Sequence, residues 1–468
     1  MKGKLVSWLA AAAITAYFLS FAIPALRAGF APDDPMNAGE YWLRGFWRSA
    51  ADIVTFWTTA YRPLGAMFYL PIYHFFGFTP LPFRIGALAL IAGNIFLTYR
   101  VALMLVESRA AAALAAMLAT AHASMLAIYY NTSMIYDILA YFFVALMLFL
   151  YLRFRRQGEL SIPRAALVVC AFIAALDSKE LAVVASLWVL AYELLFERPW
   201  RLRVPLLLCA ISGVYTAGKF LGPNPLAKQE GYRLDLSLHR YLLNNRLYWN
   251  DLFYSHWFVT SRRLVFCWLA LTALCWIARR LELWWCWVLV TTATLGISFT
   301  VQPRGQSGLY LALFAWTMMA ASLFAIPFGK RSRIAWPAAL VLACVAAWYT
   351  VPYWRAQTQA YLDWHKPTMI TLAQIKAAPK PPPRSRVLFL HDPWEGYDTL
   401  FMALLVWNDH SLNIDLDRKL TPPPDPANYD WVLSFEGSDL RLLKPSVRGG
   451  AEAPRGTNPA LLRDAMLG

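Results

Sequence analysis

Long apolar runs separated by short polar breaks fill most of the chain, at residues 5–26, 83–106, 110–130, 134–152, 163–177, 181–196, 204–221, 264–278, 282–301, 309–328 and 334–353. A run such as Leu5 to Leu26, wound as a helix at about 1.5 Å per residue, reaches roughly 33 Å and covers a hydrocarbon core of about 30 Å. The pattern predicts an all-α polytopic membrane protein of about eleven transmembrane helices.

Two long interruptions break the rhythm. The first, 27–82, contains "RPLGAMFYLPIYHFFGF" from Arg62 to Phe78, which is apolar but carries Pro63, Gly65, Pro71 and Gly77. Those residues oppose a clean span, so this stretch is expected to lie along the membrane inside one long loop. In the second, 222–262, Leu236, Tyr241, Leu243, Leu247, Tyr248, Leu252 and Phe253 recur at roughly helical spacing among polar residues. That is the pattern of an amphipathic interfacial helix. After the last run come a charged segment, 354–378, and the stiff proline-rich linker "PKPPPR" at 379–384. Beyond it, "RVLFLH" and "DWVLSFEG" read as strands flanking a helix near 397–407, a small α/β domain over 385–468.

Charge sets the orientation. With the amino terminus inside, the short cytoplasmic segments collect Lys2, Lys4, Arg109, Arg153, Arg155, Arg156, Arg164, Arg198, Arg201, Arg203, Arg279, Arg280, Lys330, Arg331 and Arg333. The short outer loops hold only Lys179 and Arg304. This asymmetry follows the positive-inside rule, and it puts both long loops and the carboxy-terminal domain outside. Counting Arg62 to Phe78 as a span would carry Arg153, Arg155 and Arg156 to the outer side. Because Lys2 and Lys4 precede the first run, a cleaved signal peptide competes with an uncleaved first span; the many runs that follow favour the span.

Composition agrees: 59% of residues are hydrophobic, 15% are charged and 21 are Trp. A net charge of +15 does not point to nucleic acid here, because the basic residues punctuate apolar runs and form no stripe. The cysteines, Cys170, Cys209, Cys267, Cys275, Cys286 and Cys344, all sit in apolar runs and read as small core hydrophobes.

The chemistry gathers at the outer ends of the runs. "GFAPDDPMNAGEYW" places Asp33, Asp34 and Glu40 directly after the first span, and Arg62, Asp137, Asp177, Lys179, Glu180 and Arg304 occupy equivalent ends. Charge inside a span costs about 2.5–3.5 kcal/mol at its centre, so "ALDSKELAVV" needs a partner, water or a function. Ion-coupled transport and transfer of a group from an anionic lipid both fit carboxylates facing cations. A transporter would carry acids near the middle of its spans or paired broken helices, whereas these spans are nearly free of charge.

Outside the cytoplasm, where nucleotide sugars are lacking, glycosyl transfer draws on a polyprenyl-phosphate donor. Cations stabilise the departing phosphate, and a carboxylate takes the acceptor's proton. Asp33 and Asp34 supply the base, and Arg62, Lys179 and Arg304 the phosphate cradle.

Smaller features carry less. His122 in "ATAHASM" reads as a satisfied core histidine, and "NTS" at Asn131 as a chance sequon. "HDPWEGYD", with His391, Asp392, Glu395 and Asp398, reads as a strand-to-helix loop before a metal site, and Trp284, Trp285 and Trp287 as an interface belt.

The acidic pair in "A-P-D-D", "Y-R-P-L" at Tyr61 to Leu64, Phe83–Arg84, Asp137 and "S-K-E-L-A" at Ser178 to Ala182 occur in an order that resembles the GT-C superfamily of membrane glycosyltransferases. Within it, the order and spacing resemble the protein O-mannosyltransferase and aminoarabinose transferase branch and related proteins with an acidic pair, an R-P-L loop and a K-E turn, over about residues 1–200.

The resemblance implies that one of Asp33 and Asp34 is the catalytic base and the other orients it or the acceptor. It implies that Arg62, Lys179 and Arg304 hold the lipid phosphate, that Glu180 pairs with Lys179, and that Asp137, Glu180, Tyr61 and Glu40 serve the sugar or acceptor. Arg304 followed by Tyr310 stands where the family often has a basic residue and an aromatic in a late outer loop. No inserted carbohydrate-binding module is recognised in the carboxy-terminal domain, so the acceptor is open among glycan, lipid and protein.

The expected protein is therefore an inverting glycosyltransferase of a bacterial inner membrane. No cofactor is required, although a divalent cation at Asp33 and Asp34 is compatible. Its competitors are a lipid-linked sugar flippase, an O-antigen ligase-like or polymerase-like transferase using a diphosphate-linked donor, and a non-catalytic scaffold.

Overall fold

The computed structural model describes residues 2–57, 62–158, 160–221, 233–253, 260–328, 332–437 and 439–445. Among them, seven helices are long and apolar enough to cross a membrane. These are α1 (Lys2–Ala25), α5 (Pro80–Val106), α8 (Ile135–Arg156), α11 (Arg203–Leu221), α13 (Ser261–Ala278), α15 (Tyr310–Phe328) and α16 (Ser332–Ala377). The chain is a helical membrane protein with a small α/β domain.

Eleven uniform spans was too simple an expectation. The run 110–130 divides into α6 (Arg109–Thr120) and α7 (Ala127–Tyr130), with a bend of 54° between them. The break lies at His122, whose ring leaves the helical pattern: Nδ1 accepts from Ser124 N–H at 3.3 Å, and Nε2 lies 2.8 Å from the Leu252 carbonyl. His122 is thus a satisfied core histidine. The runs 163–177 and 181–196 stand as two helices, α9 (Ile162–Ser178) and α10 (Ala185–Phe196), with a 3-10 turn over Glu180–Val184 between them. The run 282–301 is α-helical only over α14 (Leu281–Thr292).

α8 is the axis of the bundle, packed against α5, α9 and α15 and buried along most of its length. Its far end is held by Arg155, which donates to Glu193 at 2.9 and 2.8 Å, while the Tyr151 hydroxyl adds a bond of 2.7 Å to the same carboxylate. Trp285 is fully buried and donates to the Trp188 carbonyl at 2.8 Å, so the tryptophan cluster is partly core and not simply a belt. α1 and α13 present Trp8, Leu9, Phe266, Trp276 and Ile277 outward, a surface that only lipid would cover.

At the opposite end from Arg155, short helices form a cap. The loop 27–82 folds into α2 (Asp34–Arg44), α3 (Phe46–Val54) and α4 (Gly65–Phe76), and α4 with its internal Pro71 is too short to cross. The amphipathic stretch forms α12 (Leu238–Leu252). Its buried face carries Asn244 and Tyr248 as well as apolar groups: Asn244 donates to the carbonyls of Ser298 and Thr300, and the Tyr248 hydroxyl to that of Ile297. The helix thereby serves as a clamp on the 297–304 segment.

The charged segment 354–378 is not a separate linker. α16 continues through it as a single 46-residue helix, roughly 69 Å long at about 1.5 Å per residue, so its second half projects past any bilayer that holds the first. The domain that follows has a four-stranded sheet in the order β2-β1-β3-β4, from β1 (Arg386–Leu390), β2 (Asn413–Leu416), β3 (Trp431–Glu436) and β4 (Asp439–Pro445). β1 pairs in parallel with β2 and β3, and α17 (Asp398–Trp407) bridges β1 to β2. A central parallel strand is covered on both faces, which is why Val387, Leu388 and Phe389 are apolar and buried in succession.

Replacing Glu193 by Ala strips Arg155 of its main partner in a buried setting. The expected cost is on the order of 3 kcal/mol, read as a lowered thermal midpoint of the detergent-solubilised protein.

Candidate functional site

A cavity of about 690 Å³ opens at the cap end. It is walled by the start of α2, the Arg62 turn, the α7–α8 junction, the turn after α9, the 304–308 segment and the second half of α16. Apart from the α16 wall, each is a place where a helix starts or stops, so the backbone can aim polar side chains inward there without a flanking apolar run.

The acidic pair is split by the fold. Asp33 is the N-cap residue of α2, yet its side chain makes no capping bond, and among the described residues its carboxylate has no hydrogen bond or ion pair. It opens into the cavity, and the protein walls around it push its carboxyl above the ordinary range.

Asp34 turns the other way and is fully buried. Its Oδ1 accepts from Ser133 N–H at 2.6 Å, and its Oδ2 from Ala31 N–H at 2.7 Å and Thr132 N–H at 3.4 Å. Burial pushes its carboxyl up to about 6, against the pull of Arg84 and of those three donors. Joint ligation of a cation by the two acids would break these bonds. Among the described residues, no group of three or more His, Cys, Asp and Glu is arranged to hold a metal.

The pairing of cations also differs from expectation. Glu180 pairs with Arg62, not with Lys179: Nη2 to Oε1 is 2.9 Å and Nε to Oε2 is 3.2 Å. Lys179 reaches Asp137 at 2.5 Å instead. The reason is local. Lys179 is extended, at φ −162°, between the end of α9 and the 3-10 turn, so adjacent side chains diverge and each meets a partner from another element. Arg62 also lies over the Tyr136 ring at 5.0 Å, and its carbonyl accepts from the Tyr41 hydroxyl at 2.7 Å. Gly65 is required here, since a Cβ would come within 2.5 Å of the Tyr41 hydroxyl.

Arg304 joins the same cavity, and its backbone N–H donates to the Tyr248 hydroxyl at 3.1 Å. Tyr310, its expected aromatic companion, packs instead on Tyr141 with ring centroids 4.5 Å apart. Glu40 does not line the cavity; burial pushes its carboxyl up to about 7, opposed by Arg44 and Arg62, so it backs the Arg62 turn from behind. Asp177 is likewise buried off the cavity, with Lys219 and Asp52 as electrostatic neighbours. Tyr61 lies outside the described residues.

Sequence reasoning missed one wall. Gln357, Tyr361 and Trp364 come from the second half of α16, and Asn37, Asn131 and Gln306 add amides. Trp364 is 46% exposed, a large aromatic face left open beside acids and amides. Its only signal in the sequence was a tryptophan in an otherwise polar segment. Asn131, the sequon residue, is buried, and its Oδ1 lies 3.2 Å from His365 Nε2.

A second cavity, about 930 Å³ between α4 and α17, is lined by aromatic and aliphatic groups, with Tyr73, His74 and Lys376 as ionisable residues. Comparison with known protein families and with curated proteins finds no significant match to this chain.

The split of the acids has a direct consequence. Asp34→Ala should destabilise the folded protein, since charge-assisted hydrogen bonds are worth about 1.5–3 kcal/mol each, whereas Asp33→Asn should leave the thermal midpoint unchanged. Thermal unfolding of the two variants in detergent measures both.

Proposed function

We propose that the chain is an inverting glycosyltransferase of the GT-C type, acting at the extracytoplasmic face of a bacterial inner membrane on a polyprenyl-phosphate-linked sugar. The observation that carries the reading is one cavity lined by Arg62, Lys179 and Arg304 together with a carboxylate, Asp33, that has no bonded partner among the described residues. The resemblance of the first 200 residues to that superfamily points the same way.

In this reading the cations hold the phosphate that links sugar to lipid. Two of them arrive already paired, Arg62 with Glu180 and Lys179 with Asp137, so their positions are fixed before the lipid binds. As the bond between the anomeric carbon and the phosphate oxygen breaks, its electron pair stays on the phosphate, and the cations stabilise the charge that develops. An acceptor hydroxyl or amine attacks the opposite face of the anomeric carbon and gives its proton to Asp33. The configuration inverts in one displacement, and no general acid is needed for so good a leaving group. Asp34 orients the loop that carries the base, and Trp364 with the amide side chains offers the mixed aromatic and hydrogen-bonding surface that a pyranose ring requires.

The test is transfer from radiolabelled polyprenyl-phosphate sugars by the purified protein. Asp33→Asn should lower the rate about 10²- to 10⁴-fold while donor binding persists. Lys179→Ala should lower it about 10²- to 10³-fold. Since the base works only when deprotonated, the rate should fall as pH drops, starting above the ordinary carboxylate range because Asp33 is raised. Transport of a lipid-linked sugar that survives Asp33→Asn, with no transfer from any donor, would replace this reading by a flippase.

A further inference from the structure

The carboxy-terminal domain follows a proline-rich segment and reads in sequence as a tethered appendage, but it is docked on the loop that carries Asp33. α17 and α2 lie side by side and run the same way. Near the middle, the backbone of α2 approaches so closely that a Cβ on Gly39 would come within 2.4 Å of the Phe401 ring. At the far ends, Trp42 stacks on His410 with ring centroids 3.6 Å apart and planes within 8°, and its indole N–H donates to the Asn408 side chain at 3.2 Å. Two further bonds brace the contact: the Tyr73 hydroxyl donates to the Leu405 carbonyl at 2.6 Å, and the Trp394 indole to Thr371 on α16 at 3.2 Å.

This parallel register brings the first turn of α17 beside the first turn of α2, that is, Asp398 beside the acidic pair. Asp398 is buried, its Oδ1 has no hydrogen-bond partner among the described residues, and it feels both Asp33 and Asp34 electrostatically. The charged groups around it are these two acids across the interface and Asp392 on its own domain, with Arg84 offsetting Asp34 and Arg418 offsetting Asp392, which also faces Asp417.

We propose that the carboxy-terminal domain is a working part of the site: α17, packed along α2, holds Asp33 in place. This rests on the transfer reading given above for the role of Asp33, but the docking itself does not. Burial pushes the Asp398 carboxyl up to about 7, with Asp33 contributing, as expected of acids that compete to carry charge in one region.

Three full-length variants test it. Gly39→Leu forces α2 off α17 and should raise hydrogen exchange of the α2 amides. It should also lower kcat about 10- to 100-fold, the cost of misplacing a reacting group by an ångström, with the donor KM unchanged. Trp42→Ala should do the same to a lesser degree, and Trp42→Phe, which keeps a stacking ring on His410, should recover most of the loss.

Unchanged α2 exchange in Gly39→Leu overturns the proposal whether or not any sugar donor is found. Raised α2 exchange in Gly39→Leu with kcat unchanged, and Asp33→Asn still inactive, overturns the link to Asp33 and leaves the transfer reading standing.

Discussion

The cap end of this protein depends on the bonds to one buried carboxylate. Asp34 receives backbone N–H groups from Ala31, in its own loop, and from Thr132 and Ser133, at the broken junction before α8. A helix that breaks inside the protein leaves orphan donors, and a loop that enters it needs an anchor; a single carboxylate satisfies both. Arg84, buried at the start of α5, extends the knot by donating to the carbonyls of Gly29 and Tyr129. Because Asp34 is spent on this, Asp33 beside it is left for the cavity.

The cavity shows the same economy of charge. Its acids and cations are paired across elements that are distant in sequence: Arg62 with Glu180, 118 residues apart, and Lys179 with Asp137, 42 apart. Each pair fixes two turns relative to each other and spares a desolvated cation the cost of standing alone. A phosphate entering among them meets groups that are already oriented, which is the arrangement electrostatic stabilisation calls for.

Much of the fold was legible in the chain. The apolar runs give the helices, the prolines of "RPLGAMFYLPIYHFF" mark a helix too short to cross, and alternation of strand and helix beyond residue 385 gives the small sheet. The broken span 110–130 was harder to read, because hydropathy averages over the break at His122, where one ring meets the Leu252 carbonyl from another element. The extended α16 was hidden for the converse reason. Its polar second half resembles a linker by composition, and only contacts from Tyr130, Asn131 and Trp394 to Thr358, His365 and Thr371 show what covers it.

Sequence alone determined that this chain is built of apolar helices, that a small α/β domain follows them, and which ionisable residues stand at the helix ends, since periodicity and the cost of charge in lipid act locally. Which of Asp33 and Asp34 faces the cavity, which cation each acid holds, and the lodging of the carboxy-terminal domain against α2 were decided only by tertiary structure. Adjacent residues in an extended or capping segment point to different sides, and the partner that waits on each side comes from a part of the chain that local pattern does not connect to it.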